Sequence, residues 1–417
     1  MSPPAQPLHI LHVAQTISHL AGGVYTFLTE FIRRHAEFDL RATLVGVADD
    51  AVDDDLAPYG ACDIHTVRRL GPRSIGLSHR LRPVLDSLGP IDIVHCHGIR
   101  SFTEWGAGRF ARRRALPFIL SPHGQLEPWV LRQRTARKRL INALWLDRNL
   151  ARVTCFHATA GLEALSIRAA GHDNPVSIVP IGIDPSVHQQ GWGAEVIARH
   201  WPHLSHKNVL LFLSRVDSKK GLLNLAPAWG QVCRDHPDWH LVISGLDSGN
   251  HRGEVARAIE AAGATASTTF TGPVTDEQKF ALLGTSRLFV LPTFSENFAI
   301  VITEALASGL PVITTTATPW HELRDHQCGW WIDVGVGPLI AALRAALATP
   351  EPELAQMAQR ARALVEDRYA WDAVMRDMRS TYEWLAAGSP PASRPPCVLA
   401  RGIRPLPALS AGIPMSS

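Results

Sequence analysis

The chain has 417 residues, 46% hydrophobic and 19% charged, with a formal net charge of +3, which is long and apolar enough for two domains with full cores. Six dispersed cysteines (Cys62, Cys96, Cys155, Cys233, Cys328, Cys397) without a Cys-x-x-Cys pair argue against a disulfide framework or a structural zinc site, and suit a reducing cytoplasm. No run approaches the ~20 apolar residues of a membrane span, and the N-terminus lacks a basic segment leading into an apolar core, so a soluble protein without a signal peptide is expected.

The charge is uneven. Between Arg68 and Arg152 there are 17 basic and five acidic residues, a net of +12, and the remainder carries −9. Such a region suits anionic lipid head groups, a phosphorylated acceptor or nucleic acid. No nucleic-acid-binding motif accompanies it, so a lipid or pyrophosphate acceptor ranks first and nucleic acid is not expected.

Residues 10–14 predict a first strand, and Ala21-Gly22-Gly23-Val24-Tyr25 a loop opening a helix over 26–34. Gly22 and Gly23 let a ligand approach the backbone at a helix N-terminus, although the pair equally reads as a tight turn. There is no Gly-x-Gly-x-x-Gly, which argues against a dinucleotide oxidoreductase. Residues 42–47 predict a second strand. Residues 91–98 predict another, with His95 and His97 on one face. With no third ligand nearby in sequence, these read as hydrogen-bonded histidines rather than a metal site.

Residues 117–124 repeat the pattern of a strand ending in His-Gly, which puts His123 either on a substrate or in a satisfied loop. Residues 132–145 predict a basic amphipathic helix, suited to a membrane surface or to a solvated face over a core stripe. Strands over 156–160 and 176–184 complete the first half, and 189–206 reads as the linker.

In the second half, residues 208–221 form a strand that delivers Arg215 to a loop, with Lys220 five residues later at a helix start. Two cations so placed can neutralise a diphosphate, or they are a surface pair. A strand and glycine turn follow over 241–249, then a strand over 269–274 and a helix over 277–283. Residues 288–292 read as a buried strand, Ser295-Glu296-Asn297 as a loop, 298–307 as a helix stopped by Gly309 and Pro311, and 312–315 as the next strand. This strand–loop–helix–strand unit is the repeat of an open parallel sheet, whose ligands bind beyond the carboxyl strand ends. Glu296 would sit at the helix mouth and Glu304 about two turns in, roughly 10 Å along the axis. The pair suits a bound sugar and ribose, or else a dipole-favoured acid and a solvated one. Residues 339–365 read as helical, a closing helix reaches 385, and the Pro-, Ala- and Ser-rich remainder reads as disordered.

Glu296 and Glu304, separated by seven residues and followed by Ala305-Leu306-Ala307-Ser308-Gly309-Leu310-Pro311-Val312, resemble the Glu-x7-Glu signature of the family-four (group 1) retaining glycosyltransferases, of the bacterial surface-polysaccharide type. Arg215 through Lys220-Gly221 resembles that family's diphosphate-binding Arg-x4-Lys-Gly. Ile181 replaces the Asn of its Pro-Asn-Gly-(Val/Ile)-Asp domain crossing, while Gly182 keeps the turn.

The resemblance, from about Ile10 to Leu385, implies the GT-B fold: two Rossmann-like domains facing a cleft, over 1–190 and 191–370, with a helix over 371–387 returning to the first and a disordered tail over 388–417. It implies a cytoplasmic enzyme, at the inner face of the plasma membrane if the basic region binds lipid. That enzyme would move a hexosyl unit with retention from a nucleotide-sugar to a glycan or lipid-pyrophosphate-linked acceptor, in exopolysaccharide, O-antigen or lipopolysaccharide synthesis. It implies catalytic or donor roles for Glu296, Arg215, Lys220 and His123, and donor contacts from Gly22, Gly23, Val274, Asn297, Phe298 and Glu304, with neither metal nor cofactor. The alternatives are a sugar-phosphate or sucrose-type synthase, a nucleotide-sugar epimerase of the same fold, or a non-catalytic scaffold.

Overall fold

The computed structural model describes residues 6–71, 76–99, 101–127, 149–188 and 193–403. The chain divides into two compact units, one running through Gly182 and resuming at Trp371, the other comprising Ile183–Ala370. The basic segment expected as a helix over 132–145 lies outside the described residues.

In the first unit, seven strands run parallel: β1 (Leu8–Ala14), β2 (Leu40–Val47), β3 (Asp63–Val67), β4 (Ile93–His97), β5 (Phe118–Ser121), β6 (Cys155–Ala158) and β7 (Val176–Ile178). Their spatial order is β7-β6-β5-β4-β1-β2-β3, so the winding direction reverses between β1 and β4. Central strands buried on both faces explain the near-continuous apolar runs. Leu11, Val13, Val94 and Cys96 belong to one apolar cluster with Ala107, Phe110 and Ala111.

The opposite face is of another kind. His12 pairs in register with His95, and both are fully buried. Phe31 of the first helix, Gly23–Arg33, packs edge-on against both imidazoles, Phe27 is tilted against the neighbouring His97, and Trp371 stacks on both phenyl rings. Trp371 opens the helix Trp371–Ala386, whose Tyr382 hydroxyl lies 2.7 Å from His95 Nδ1. Two hydrogen-bond chains cross this layer. One links the Phe31 carbonyl to His35, His12, His97 and His123 in turn. The other links the Val179 carbonyl to His157, Ser121, His95 and Tyr382. Together they satisfy polar atoms that burial would otherwise penalise.

The second unit is a six-stranded, all-parallel sheet: β8 (Asn208–Leu213), β9 (Trp239–Ser244), β10 (Thr268–Gly272), β11 (Leu288–Leu291), β12 (Val312–Thr315) and β13 (Gly329–Ile332). The order β10-β9-β8-β11-β12-β13 places its reversal between β8 and β11. Two glycines hold the loop after β8 close to its neighbours, after β11 on one side and after β9 on the other. Gly221 has φ +74, and a Cβ there would stand 1.9 Å from the Pro292 carbonyl oxygen. Gly245 has φ +139, and a Cβ there would stand 1.9 Å from the Ser214 carbonyl oxygen. No larger residue fits either approach.

Three expectations need correction. The linker over 189–206 contains the helix Ala194–His200, because Val196 and Ile197 find burial; 189–192 lie outside the described residues. The helix expected over 339–365 is two, Val336–Leu347 and Glu351–Arg368, separated by an extended Pro350. The tail expected to be disordered contains β14 (Val398–Leu399), which pairs antiparallel with β7. The Arg168 guanidinium donates to the carbonyls of Ala400 and Ile403. Composition registers low burial of a tail, but the open edge of β7 supplies backbone partners that composition ignores. Residues 404–417 lie outside the described residues.

Burial holds His35 and His157 down to about 4 and His12, His95 and His97 well below their ordinary value. The unfolded chain therefore binds more protons below about pH 6.5, and stability falls as pH drops from there. Each such imidazole contributes up to ~1.4 kcal/mol per pH unit. Melting temperature should be flat above pH 7 and drop steeply between 6.5 and 5, and His35→Gln should flatten that slope. A melting temperature unchanged down to pH 5 contradicts a neutral imidazole layer. Separately, Gly221→Ala should lower stability by about 2 kcal/mol or more, from strain at positive φ plus the overlap with Pro292. Denaturant unfolding reads that loss directly.

Candidate active site

The reversal between β8 and β11 brings two loops side by side at the carboxyl ends of the strands, where open sheets of this kind bind ligands. The five buried residues of β8 end at Leu213, and the chain continues through Ser214 to Arg215. Asp217 caps the short 3-10 turn Ser218–Lys220 by accepting from the Lys219 amide at 2.8 Å. That turn aims Lys220 inward, and Gly221 then lets the helix Leu222–Val232 start against Pro292.

The loop after β11 answers it. Phe294 donates its amide to the Lys219 carbonyl at 2.8 Å, and the fully buried Thr293 hydroxyl lies 2.9 Å from the same oxygen. Glu296 is tied down by its own amide on the Ala317 carbonyl, 3.1 Å. Its Oε1 accepts from Lys220 Nζ, and Thr293 Oγ1 stands 3.2 Å from it. The Lys220 and Glu296 side chains are each about a tenth exposed. Arg215 is exposed, and among the described residues no carboxylate pairs with it. The arrangement therefore offers an ammonium with donors to spare, an unclaimed guanidinium and a fixed carboxylate on adjacent loops.

Glu304 has a partner that sequence reasoning did not name. Its Oε1 lies 3.0 Å from Lys279 Nζ on the helix Asp276–Thr285. Burial disfavours the charge on Lys279, but Glu304, and secondarily Asp276, hold the ammonium above its ordinary value. An acid on so apolar a helix needs a cation, and the neighbouring helix carried one candidate.

The helix itself is Ile300–Ala307, with Ala299 left-handed at φ 67. Asn297 lies in the loop as expected, Phe298 precedes the helix instead of opening it, and Glu304 sits about one turn in rather than two. The reason is the Phe298 ring, buried against Trp320 and Tyr369, with its carbonyl accepting from Trp320 Nε1 at 2.6 Å. That anchoring forces a backbone reversal before the helix can begin. Val274 is half-buried beyond the edge strand β10, two strands from β8.

In the first unit, Gly22 and Gly23 follow β1 and are exposed. Gly22 is the N-cap with φ 59, and Gly23 opens the helix three residues before the sequence placed its start. His123 follows β5 with φ 48 and is half-buried, pushed down to about 3 by burial and then by His157. The buried Glu163 fixes this turn, accepting from the Gly124 amide at 2.7 Å and from the Thr159 amide at 2.8 Å. His95 and His97 have a third imidazole beside them after all. His12 lies more than eighty residues earlier, so local spacing hid it, and ligand-capable atoms of the three fall within 4.8 Å of one another.

Comparison with known proteins accounts for both halves. Residues 22–182 match the model described as "Glycosyl transferase 4-like domain", and 195–364 match "Glycosyl transferases group 1". A GDP-mannose:cellobiosyl-diphosphopolyprenol alpha-mannosyltransferase of Xanthomonas oryzae pv. oryzae is 23% identical over 331 residues, 77% of this chain and 82% of the relative. A phosphatidyl-myo-inositol mannosyltransferase of Mycobacterium tuberculosis is 30% identical over 184 residues, 42% of this chain and 47% of that one. Among solved structures, Anabaena HepE in complex with UDP superposes with a TM-score of 0.74 at 17% identity, covering 90% of this chain and all of HepE. Sucrose-phosphate synthase from Thermosynechococcus elongatus gives 0.71 at 18%, over 91% of this chain and 100% of the synthase. With both family models matched in sequence order and two parallel α/β sheets of this type, the chain belongs to the group 1 glycosyltransferases and has the GT-B fold.

Proposed function

We propose that this chain transfers a hexosyl unit from a nucleoside-diphosphate sugar to a lipid-diphosphate-linked glycan, with retention and without a metal ion, in bacterial surface-polysaccharide synthesis. The observation that carries the proposal is the Lys220–Glu296 pair beside an unclaimed Arg215 at the β8/β11 reversal. In the reaction, the bond from the anomeric carbon to the diphosphate oxygen breaks. A bond to an acceptor hydroxyl oxygen forms on the same face of the sugar, and the hydroxyl proton passes to the departing diphosphate. Arg215 and Lys220 stabilise the negative charge that gathers on that leaving group, which is where preorganised cations contribute most.

Glu296, held by Lys220 and Thr293, orients the sugar hydroxyls through its second oxygen. Glu304 keeps Oε1 on Lys279 and turns Oε2 to the ribose. His123 meets a substrate hydroxyl in the first unit. Because the two cations supply the neutralising charge, no metal is needed for it.

GDP-mannose is the donor to test first, since the Xanthomonas relative uses it by name and matches most of both chains. That relative's diphosphopolyprenol acceptor also fits the basic first unit, where Arg82, Arg109, Arg112, Arg113 and Arg114 are exposed. No helix among the described residues is long and apolar enough to cross a membrane. The proposed contact with lipid is therefore peripheral and electrostatic.

Thermal shift with GDP-, UDP-, ADP- and dTDP-sugars in the presence of chelator tests the donor site. One nucleotide class should raise the melting temperature, by about 2.7 kcal/mol of stabilisation at a hundred times Kd. Lys220→Met and Glu304→Gln should lose that increment, whatever their baseline stability. No shift from any nucleotide, or equal shifts in the variants, would sink the assignment. For the acceptor, the protein should sediment with anionic vesicles at low salt and dissociate near 0.5 M, where screening shortens to a few ångströms. Salt-insensitive or absent sedimentation rules out the peripheral contact.

A further inference from the structure

The imidazole chain in the first unit determines the protonation of each of its members. His35 Nδ1 lies 2.9 Å from the Phe31 carbonyl, and a carbonyl only accepts, so His35 carries its proton on Nδ1. In the neutral ring, His35 Nε2 is then an acceptor and takes a hydrogen bond from His12 Nε2–H at 3.0 Å. That leaves His12 Nδ1 to accept from His97 Nε2–H at 3.0 Å. His97 Nδ1 in turn accepts from His123 Nε2–H at 3.2 Å. The outcome is a lone pair at His123 Nδ1, which has no hydrogen-bond partner among the described residues. One backbone carbonyl has dictated the tautomer of an imidazole four residues down the chain.

We propose that His35, His12 and His97 are positioning residues that fix His123 as a hydrogen-bond acceptor toward substrate. The chain thereby selects a ligand that offers a hydroxyl proton at that point over one that offers a carboxylate or a bare methyl. This rests on the reading that His123 faces substrate. The tautomer itself follows from geometry alone. The polarity is opposite to that of a free histidine, which can turn either nitrogen to suit its ligand.

The other groups around the chain respect this assignment. His157 donates to the Val179 carbonyl and accepts from Ser121, Ser121 accepts from His95, and His95 accepts from Tyr382. No member of this second chain competes for a nitrogen of the first. His9 touches Pro90 and Thr43 instead, and Glu163 faces the Gly124 and Thr159 amides. A cation held by His12, His95 and His97 is the rival use of the cluster. It would have to break the His12–His97 bond and take one ring nitrogen of His95 from either Ser121 or Tyr382. The hydrogen-bond reading leaves every one of those contacts in place.

The test is nitrogen-15 spectroscopy of histidine-labelled full-length protein at neutral pH, alongside metal analysis of the same sample. The expected result is His123, His97 and His12 protonated on Nε2 and His35 on Nδ1, with no stoichiometric metal. A His123 protonated on Nδ1 overturns the proposal, and so does a bound metal whose removal shifts the His12 and His97 signals. His97→Asn retains an acceptor oxygen near the position of the lost Nδ1 and should preserve the His123 tautomer. His97→Leu removes it, and His123 should then populate both tautomers.

In transfer assays, His97→Leu should narrow the preference for a hydroxyl-bearing substrate over its counterpart with a carboxylate at that position by roughly tenfold. His97→Asn should restore that preference. Equal discrimination in both variants overturns the specificity role. Should His97→Leu fail to fold, the wild-type spectrum still decides the tautomer. If no nucleotide-sugar is ever accepted, the spectrum remains interpretable, so failure of the functional proposal and failure of this one are told apart.

Discussion

An ammonium and a carboxylate meet where the second sheet changes its direction of winding, and the rest of that unit is arranged to make the meeting possible. Lys220 and Glu296 come from loops after β8 and β11, strands adjacent in space but about eighty residues apart in sequence. A charge pair this buried is weak evidence for stability, because desolvation offsets much of the attraction. Its worth is positional. The pair, with Thr293 bonded to both loops, holds two charges of opposite sign in one fixed geometry at the carboxyl ends of the strands.

The first unit answers the same problem of burial by a different chemistry. One face of its sheet is packed with aliphatic residues in the ordinary way. The other carries His12, His95, His97 and His157 under a lid of Phe27, Phe31, Trp371 and Tyr382. Such a layer is dense and shape-complementary like an apolar core, yet each ring has two directional contacts to satisfy. A buried polar network tolerates few substitutions, since removing one member strands its neighbours. The layer therefore specifies one arrangement of strands and helices more narrowly than aliphatic packing would.

Much of this was legible in the sequence. Alternating apolar runs and breakers located most of the strands of both sheets, since strands buried on both faces leave a plain signature. The short edge strand β3 (Asp63–Val67) and the strand Gly329–Ile332 were missed, the first for its polar alternation and the second for its tryptophans and glycine. At the site, Arg215, Lys220 and Glu296 were identified from spacing and family resemblance, and the structure brings their loops together. The partners were not legible. Lys279 for Glu304 and His12 for His97 are each supplied by another element, and register across a sheet is not written in local periodicity. The left-handed Ala299 was hidden for a related reason. Only the burial of the Phe298 ring explains why the helix starts where it does.

The placement of Trp371–Ala386 and β14 in the first unit has a consequence for how the molecule comes into being. The ribosome finishes the first 182 residues and then spends 188 more on the second unit before the covering helix emerges. At roughly 5–20 residues per second this interval is on the order of ten to forty seconds. Throughout it, the imidazole face of the nascent sheet has its strands and its first helix but neither Trp371 nor Tyr382, and β7 presents an open edge. The second unit, continuous in sequence, has no such wait. Maturation of this enzyme thus runs in the reverse of its reading order: of the two units, the one translated first is the one completed last, by Trp371–Ala386 and Val398–Leu399.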